Sequence, residues 1–159
     1  MREIAYLFVA LAFHVLVNGC VAERMREDHM ELIKGNYSLS SFVWENEDIP
    51  TSSLSPSEIL SAEIYQSDGR WFFDSTFPEM DFEGNIDYRR CIIPLNWNTA
   101  LGIYEFDFSS GAVPKRITEA SLKGGTVTIS ACDAVEMFEH GRFMERNIHF
   151  KYVWEKEAR

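Results

Sequence analysis

The chain has 159 residues, 46% hydrophobic and 14% aromatic, with a formal net charge of −10. At that length one domain with a core of its own is expected. The acidic balance argues against nucleic acid, whose phosphates need clustered Lys and Arg, and against a basic membrane-surface patch, while the aromatic content is inconsistent with a disordered chain.

The first twenty residues stand apart. Arg2 gives a short basic start, Ile4 to Val17 is an apolar run interrupted only by His14, and Val17-Asn18-Gly19-Cys20 places a small residue before a cysteine. A spanning helix needs about 20 apolar residues, so residues 1–19 read as a secretory signal that is removed rather than as a membrane span. With cysteine next in line, the segment resembles a bacterial lipoprotein signal. The resemblance implies that the Cys20 thiol receives a diacylglyceryl group and becomes the new N-terminus, holding a soluble domain to the membrane. Each buried methylene of such an anchor contributes about 0.8 kcal/mol. The other reading is an ordinary secretory signal cut after Gly19 or Ala22, with Cys20 incidental. The cysteines bear on this choice: if Cys20 carries lipid, Cys91 and Cys132 remain as an even pair in a disulfide-permissive compartment. A Cys91–Cys132 bridge would stabilise by about 3–4 kcal/mol; two buried free thiols on strands are the alternative.

Residues 20–33 are charged and rich in helix formers, with Met25, Met30, Leu32 and Ile33 as a weak apolar stripe, and predict a linker or short helix. From Gly35 onward the pattern is β, and residues 34–159 form the expected domain. Asn36–Trp44 alternates with one break at Ser40-Ser41, which predicts a bulge. Glu45–Ser57, with Pro50 and Pro56, reads as a polar loop. Ile59–Gln66 and Arg70–Ser75 are strands joined through Ser67-Asp68-Gly69, an Asp-Gly hairpin signal. Thr76–Asn85 reads as a loop, and Ile86–Ile93 as a strand ended by Pro94. Ala100–Phe108 alternates with Tyr104, Phe106 and Phe108 on one face; Lys115–Leu122 is a weaker strand, and Lys123-Gly124-Gly125 turns into Thr126–Ala131. Ala134–Glu139 is ambiguous between strand and helical turn, and His140-Gly141 reads as a turn. Asn147–Glu155 has the cleanest period of two, with Ile148, Phe150, Tyr152 and Trp154 on one side. Eight or nine strands at hairpin spacing, without a long helix, mean an antiparallel barrel or sandwich.

Three stretches carry a further resemblance. Leu32 to Phe42, containing Gly35 and Tyr37, looks like the opening Gly-x-Trp strand of the lipocalin-like domains of bacterial lipoproteins, with Tyr37 in place of Trp. Ile64 to Trp71 is similar to that family's strand, Asp-Gly turn and aromatic strand, and Ile148 to Lys156 to its closing strand. The resemblance implies an all-β, eight-stranded up-and-down barrel with Tyr37 near a closed end. Eight strands enclose an interior that is either filled by side chains or holds one small ligand. Phe73, Tyr104, Phe106, Phe150, Tyr152 and Trp154 are the candidates for that interior, and the expected function is binding of a small hydrophobic ligand by a lipoprotein of the bacterial outer membrane, on its periplasmic or surface face. The alternative is a filled, non-catalytic barrel that binds another envelope protein and shows an exposed apolar patch.

No cofactor and no metal is expected. Asp81, Glu83, Asn85 and Asp87 alternate oxygen ligands, but an EF-hand would place its glycine at Ile86 and its last Glu at Ile92, so a solvated acidic loop is the reading. Glu45, Glu47 and Asp48 read the same way. His29, His140 and His149 have no zinc spacing among themselves or with Cys132 and read as surface histidines. Without a Gly-x-Ser-x-Gly elbow or a phosphate loop, an enzyme would need Glu105, Asp107 and His149 to cluster in space.

Overall fold

The computed structural model describes residues 19–45, 47–54, 60–80, 85–110, 116–139 and 142–158. The apolar segment before Gly19, the acidic positions Asp81 and Glu83, Pro56 and Ile59, and the His140-Gly141 turn lie outside them. Residues 19–33 are helical (α1). The strands are β1 (Gly35–Trp44), β2 (Glu47–Ile49), β3 (Ser61–Ser67), β4 (Arg70–Met80), β5 (Ile86–Asn98), β6 (Ile103–Phe106), β7 (Arg116–Lys123), β8 (Thr126–Glu139) and β9 (Arg142–Lys156). Around the sheet they run β6-β5-β4-β3-β1-β9-β8-β7, with β2 paired only to β1. Every pairing is antiparallel, and the β1–β9 ladder joins the two ends of the sequence, giving a nearly closed eight-stranded barrel.

Local chemistry explains the meander. Asp68 and Gly69 both take positive φ, 50° and 74°, as a two-residue hairpin loop between right-twisted strands requires. The bulge expected in the first strand is present as a register shift between Leu39 and Ser41 opposite β9, which turns both Leu39 and Phe42 inward. Gly35 opens β1 at φ +129°, and a Cβ there would lie 3.3 Å from Lys156 Cε.

Several boundaries differ from the pattern-based expectation. β4 continues through Pro78 to Met80, and β5 through Pro94 to Asn98. In a strand the N–H and C=O of one residue point to the same side, so the direction of the carbonyl shows where the missing donor would have pointed. The Pro94 carbonyl accepts from Asp107 N at 2.8 Å, just past the end of β6. That of Pro78 accepts from the Tyr152 hydroxyl at 3.0 Å, beyond the end of β3. The missing donor of Pro78 thus faces no ladder, and that of Pro94 faces Asp107, where β6 has ended. β6 is shorter than expected, because the Asn98 side chain accepts from the N–H groups of Ala100 and Leu101 and folds them into a turn. Phe108 falls in a short 3₁₀ turn, Phe108–Ser110. Within the Glu45–Ser57 loop, β2 pairs with the end of β1. Ala134–Glu139 is strand, the continuation of β8 opposite β9.

α1 caps the barrel end formed by the start of β1, the β3–β4, β5–β6 and β7–β8 turns and the end of β9. Met30 and Ile33 are buried in the common core. The Tyr37 hydroxyl donates to the Ile33 carbonyl, and Lys156 Nζ donates to the Leu32 carbonyl at 2.7 Å. The segment expected as a linker or short helix is thus a helix whose inner face is part of the barrel.

Candidate functional site

The six residues expected inside the barrel are buried to different degrees. Phe73, Tyr104, Phe150, Tyr152 and Trp154 are at most 3% exposed, and Phe106 is half-buried. Five of them pack on each other or on further aromatics of the interior, and Tyr104 packs on Trp97 and His29. The Trp154 ring lies edge-on to Phe73 at 5.5 Å and to Phe77 at 5.0 Å, Tyr152 stacks on Phe42 at 5.2 Å, and Phe73 meets Phe106 at 5.7 Å. Such offset and edge-to-face contacts contribute beyond area burial. Phe77 escaped notice because Pro78 suggested a loop; Phe42 was visible in the alternation. At the capped end Tyr37 meets Phe73 at 6.4 Å, and burial pushes its hydroxyl up to about 12. Burial likewise raises Tyr152, which donates to Pro78 rather than ionising.

Across the barrel the sheet does not close. β6 and β7 stand at the two ends of the strand order, and among the described residues each has one partner, β5 and β8 respectively. The cleft between them has a volume of about 690 Å³. Its walls are Ile103, Tyr104, Phe106, Phe108, Ala120 and Leu122; Glu105 and Glu119 lie exposed at the rim, and Lys123 and His29 are at the capped end. His29, expected on the surface, is half-buried: its ring stacks on Tyr104 at 6.1 Å and meets Trp97 edge-on at 6.1 Å. Burial lowers its pKa, and its Nδ1 has no hydrogen-bond partner among the described residues. Arg26 Nε donates to the Tyr104 hydroxyl at 2.7 Å, tying α1 to β6. Tyr104 and Phe106 therefore face two environments, the packed interior and the cleft.

A second feature lies on the outer side of α1. Val21, Met25 and Leu32, four and seven residues apart, share one side of the helix and are 53%, 51% and 64% exposed. Leu101 is 64% exposed in the β5–β6 turn, whose Gly102 lies beside Met25. This makes an apolar stripe on the capped end, where Cys20 is also exposed.

The remaining sequence candidates do not converge. Glu105 accepts from Asn98 Nδ2, and Asp107 accepts from Asn96 Nδ2 and from the backbone and hydroxyl of Ser109, whose bonds hold its carboxyl below the usual range. His149 is on β9 beside Glu45, and β9 is not a neighbour of β6. Cys91 and Cys132 are free cysteines on β5 and β8, which are not adjacent; the structure has the two separate thiols of the alternative reading rather than the bridge. Burial pushes the Cys91 thiol up to about 11. Among the described residues no group of three His, Cys, Asp or Glu is placed to hold a metal, and no helix is long and apolar enough to cross a membrane. Comparison with family models, curated proteins and solved structures finds no match.

Proposed function

We propose that the chain is a non-catalytic, lipocalin-like interaction module of the bacterial cell envelope, tethered by lipid on Cys20. The observation that carries this reading is the packed inward face: Phe73, Phe106, Phe150, Tyr152 and Trp154, five of the six residues that would line a ligand cup, pack on one another and on Tyr37, Phe42 and Phe77. An eight-stranded barrel has room for side chains or for one ligand, and the ring-on-ring packing of these aromatics supports the first. The exposed stripe of Val21, Met25, Leu32 and Leu101 supplies the apolar surface that an interaction module needs. The exposed position of Cys20 at the start of α1 suits an anchor at that end. A second reading, a carrier of a small hydrophobic ligand, is favoured by the cleft beside Tyr104 and Phe106, whose volume lies in the usual range for ligand sites.

Native mass spectrometry of the full chain, expressed in a Gram-negative host and released by mild detergent, tests both. The expected spectrum shows the protein starting at Cys20, with covalent lipid and no other adduct. A small non-covalent mass that departs on activation would overturn the filled-module reading and establish the carrier. Cys20→Ala should move the protein from the membrane to the soluble fraction; retention on the membrane would remove the anchor.

A further inference from the structure

The hydrogen-bonding phase of β6 and β7 can be read from their registers. Asp107 N donates to Pro94, which has no N–H to return the bond, so Pro94 and Asp107 occupy a hydrogen-bonding position of the ladder, and the next such position along β6 is the pair Asn96 with Glu105. The backbone groups of Tyr104 and Phe106 therefore point away from β5, into the cleft. On β7 the two-residue Gly124-Gly125 turn makes Lys123 and Thr126 a hydrogen-bonded pair, followed by Ser121 with Thr128. The groups of Ala120 and Leu122 point away from β8, into the same cleft. Two strand edges thus face each other without a ladder between them, a template for a further strand.

We propose that this seam is a strand-addition site, taking an extended segment of a partner protein that completes the barrel. The inference rests on the interaction-module reading. The space fits: four residues at about 3.3 Å each, in a slot about 4.8 Å wide and about 10 Å deep, fill roughly 630 Å³, against a cleft of about 690 Å³. β6 and β7 come within 8 Å of each other in places. An inserted strand needs about 9.6 Å between its flanks, so the edges part slightly on binding. The side chains specify the occupant. Its inward residues meet Tyr104, Phe106 and Leu122; its outward residues lie between the exposed Glu105 and Glu119. The segment therefore alternates apolar with basic residues, which also suits a protein of net charge −10.

The test is residue-resolved hydrogen exchange on the full detergent-released chain, with a capped pentapeptide alternating valine and lysine as the probe. Free protein should exchange the amides of Tyr104, Phe106, Ala120 and Leu122 faster than those of Glu105 and Ser121, and saturating peptide should slow them by about tenfold or more, as a gained backbone hydrogen bond would. A valine–glutamate peptide should bind about tenfold more weakly, and the double variant Glu105→Lys with Glu119→Lys should reverse that preference. N-methylating the lysine amides should abolish protection along one edge. The proposal is overturned if the four amides are already as slow as their ladder neighbours without peptide, or if the valine–lysine peptide leaves them unchanged. A co-purifying apolar molecule that fills the cleft without slowing them would overturn it too. A ligand inside the barrel would count against the module reading alone, since it leaves these edge amides unaffected.

Discussion

The barrel wall formed by β4, β3, β1 and β9 and the seam between β6 and β7 are built from the same kinds of residue, yet one is closed and the other open. In the wall, ladders join Arg70–Ser75 of β4 to β3, β3 to β1 and β1 to β9 as far as Lys156, and inward aromatics meet ring to ring. At the seam, β6 has only four residues; Tyr104 packs on Trp97 of β5 and His29 of α1, and Phe106 on Phe73 of β4 and on Phe108. The difference teaches that alternation supplies an inward face, whereas closure requires two edges long enough and close enough to pair. The stability of the molecule therefore lies in the wall, and its adaptability at the seam.

Truncation in the two regions should separate them most sharply. Trp154→Ala removes a fully buried ring at the centre of the stack and is expected to cost about 3–5 kcal/mol in a urea titration; a cost near zero would mean the interior is loosely filled. Met30→Ala, which unplugs the capped end, should cost roughly 2–3 kcal/mol by the same measurement. Equality with a surface substitution would show that α1 is not part of the core.

Raised pKa values of buried groups on β5 and β1 predict a basic limb. Cys91 has an ordinary thiol value of 9.0 and rises to about 11 when folded, so the folded state holds the proton more tightly. Its contribution is fully present below pH 9.0 and is lost as pH rises through about 11, with Tyr37, moving from 10.0 to about 12, following later. The urea midpoint should fall across that window, and Cys91→Val should flatten the first part of the fall; an unchanged profile would place the thiol in contact with water. The smallest effect belongs to the seam: Phe108→Ala, half-buried on the cleft wall, should cost less than about 1 kcal/mol. A loss as large as that of Trp154→Ala would erase the distinction between the regions.

Most of the barrel was legible along the chain, and particular residues show why. The last strand alternates through Ile148, Phe150, Tyr152 and Trp154, and all four are buried; Asp68-Gly69 forms the hairpin because its φ values are local chemistry. The boundaries at Pro78 and Pro94 were not legible, since whether a strand tolerates proline depends on which side its neighbour lies. The half-burial of His29 and the contribution of Met30 were hidden for a related reason: a weak helical stripe does not say what it packs against.

What the sequence by itself determined is the inward face of each strand, the turns and the all-β class, because period, side-chain volume and positive φ are properties of short stretches. What only the tertiary structure decided is that Phe73, Phe77, Tyr152 and Trp154 meet ring to ring, that α1 caps one end, that Cys91 and Cys132 stand apart, and that among the described residues the sheet stays open between β6 and β7. These depend on distances between segments far apart in the chain, which are set by how all eight strands tilt and pack together.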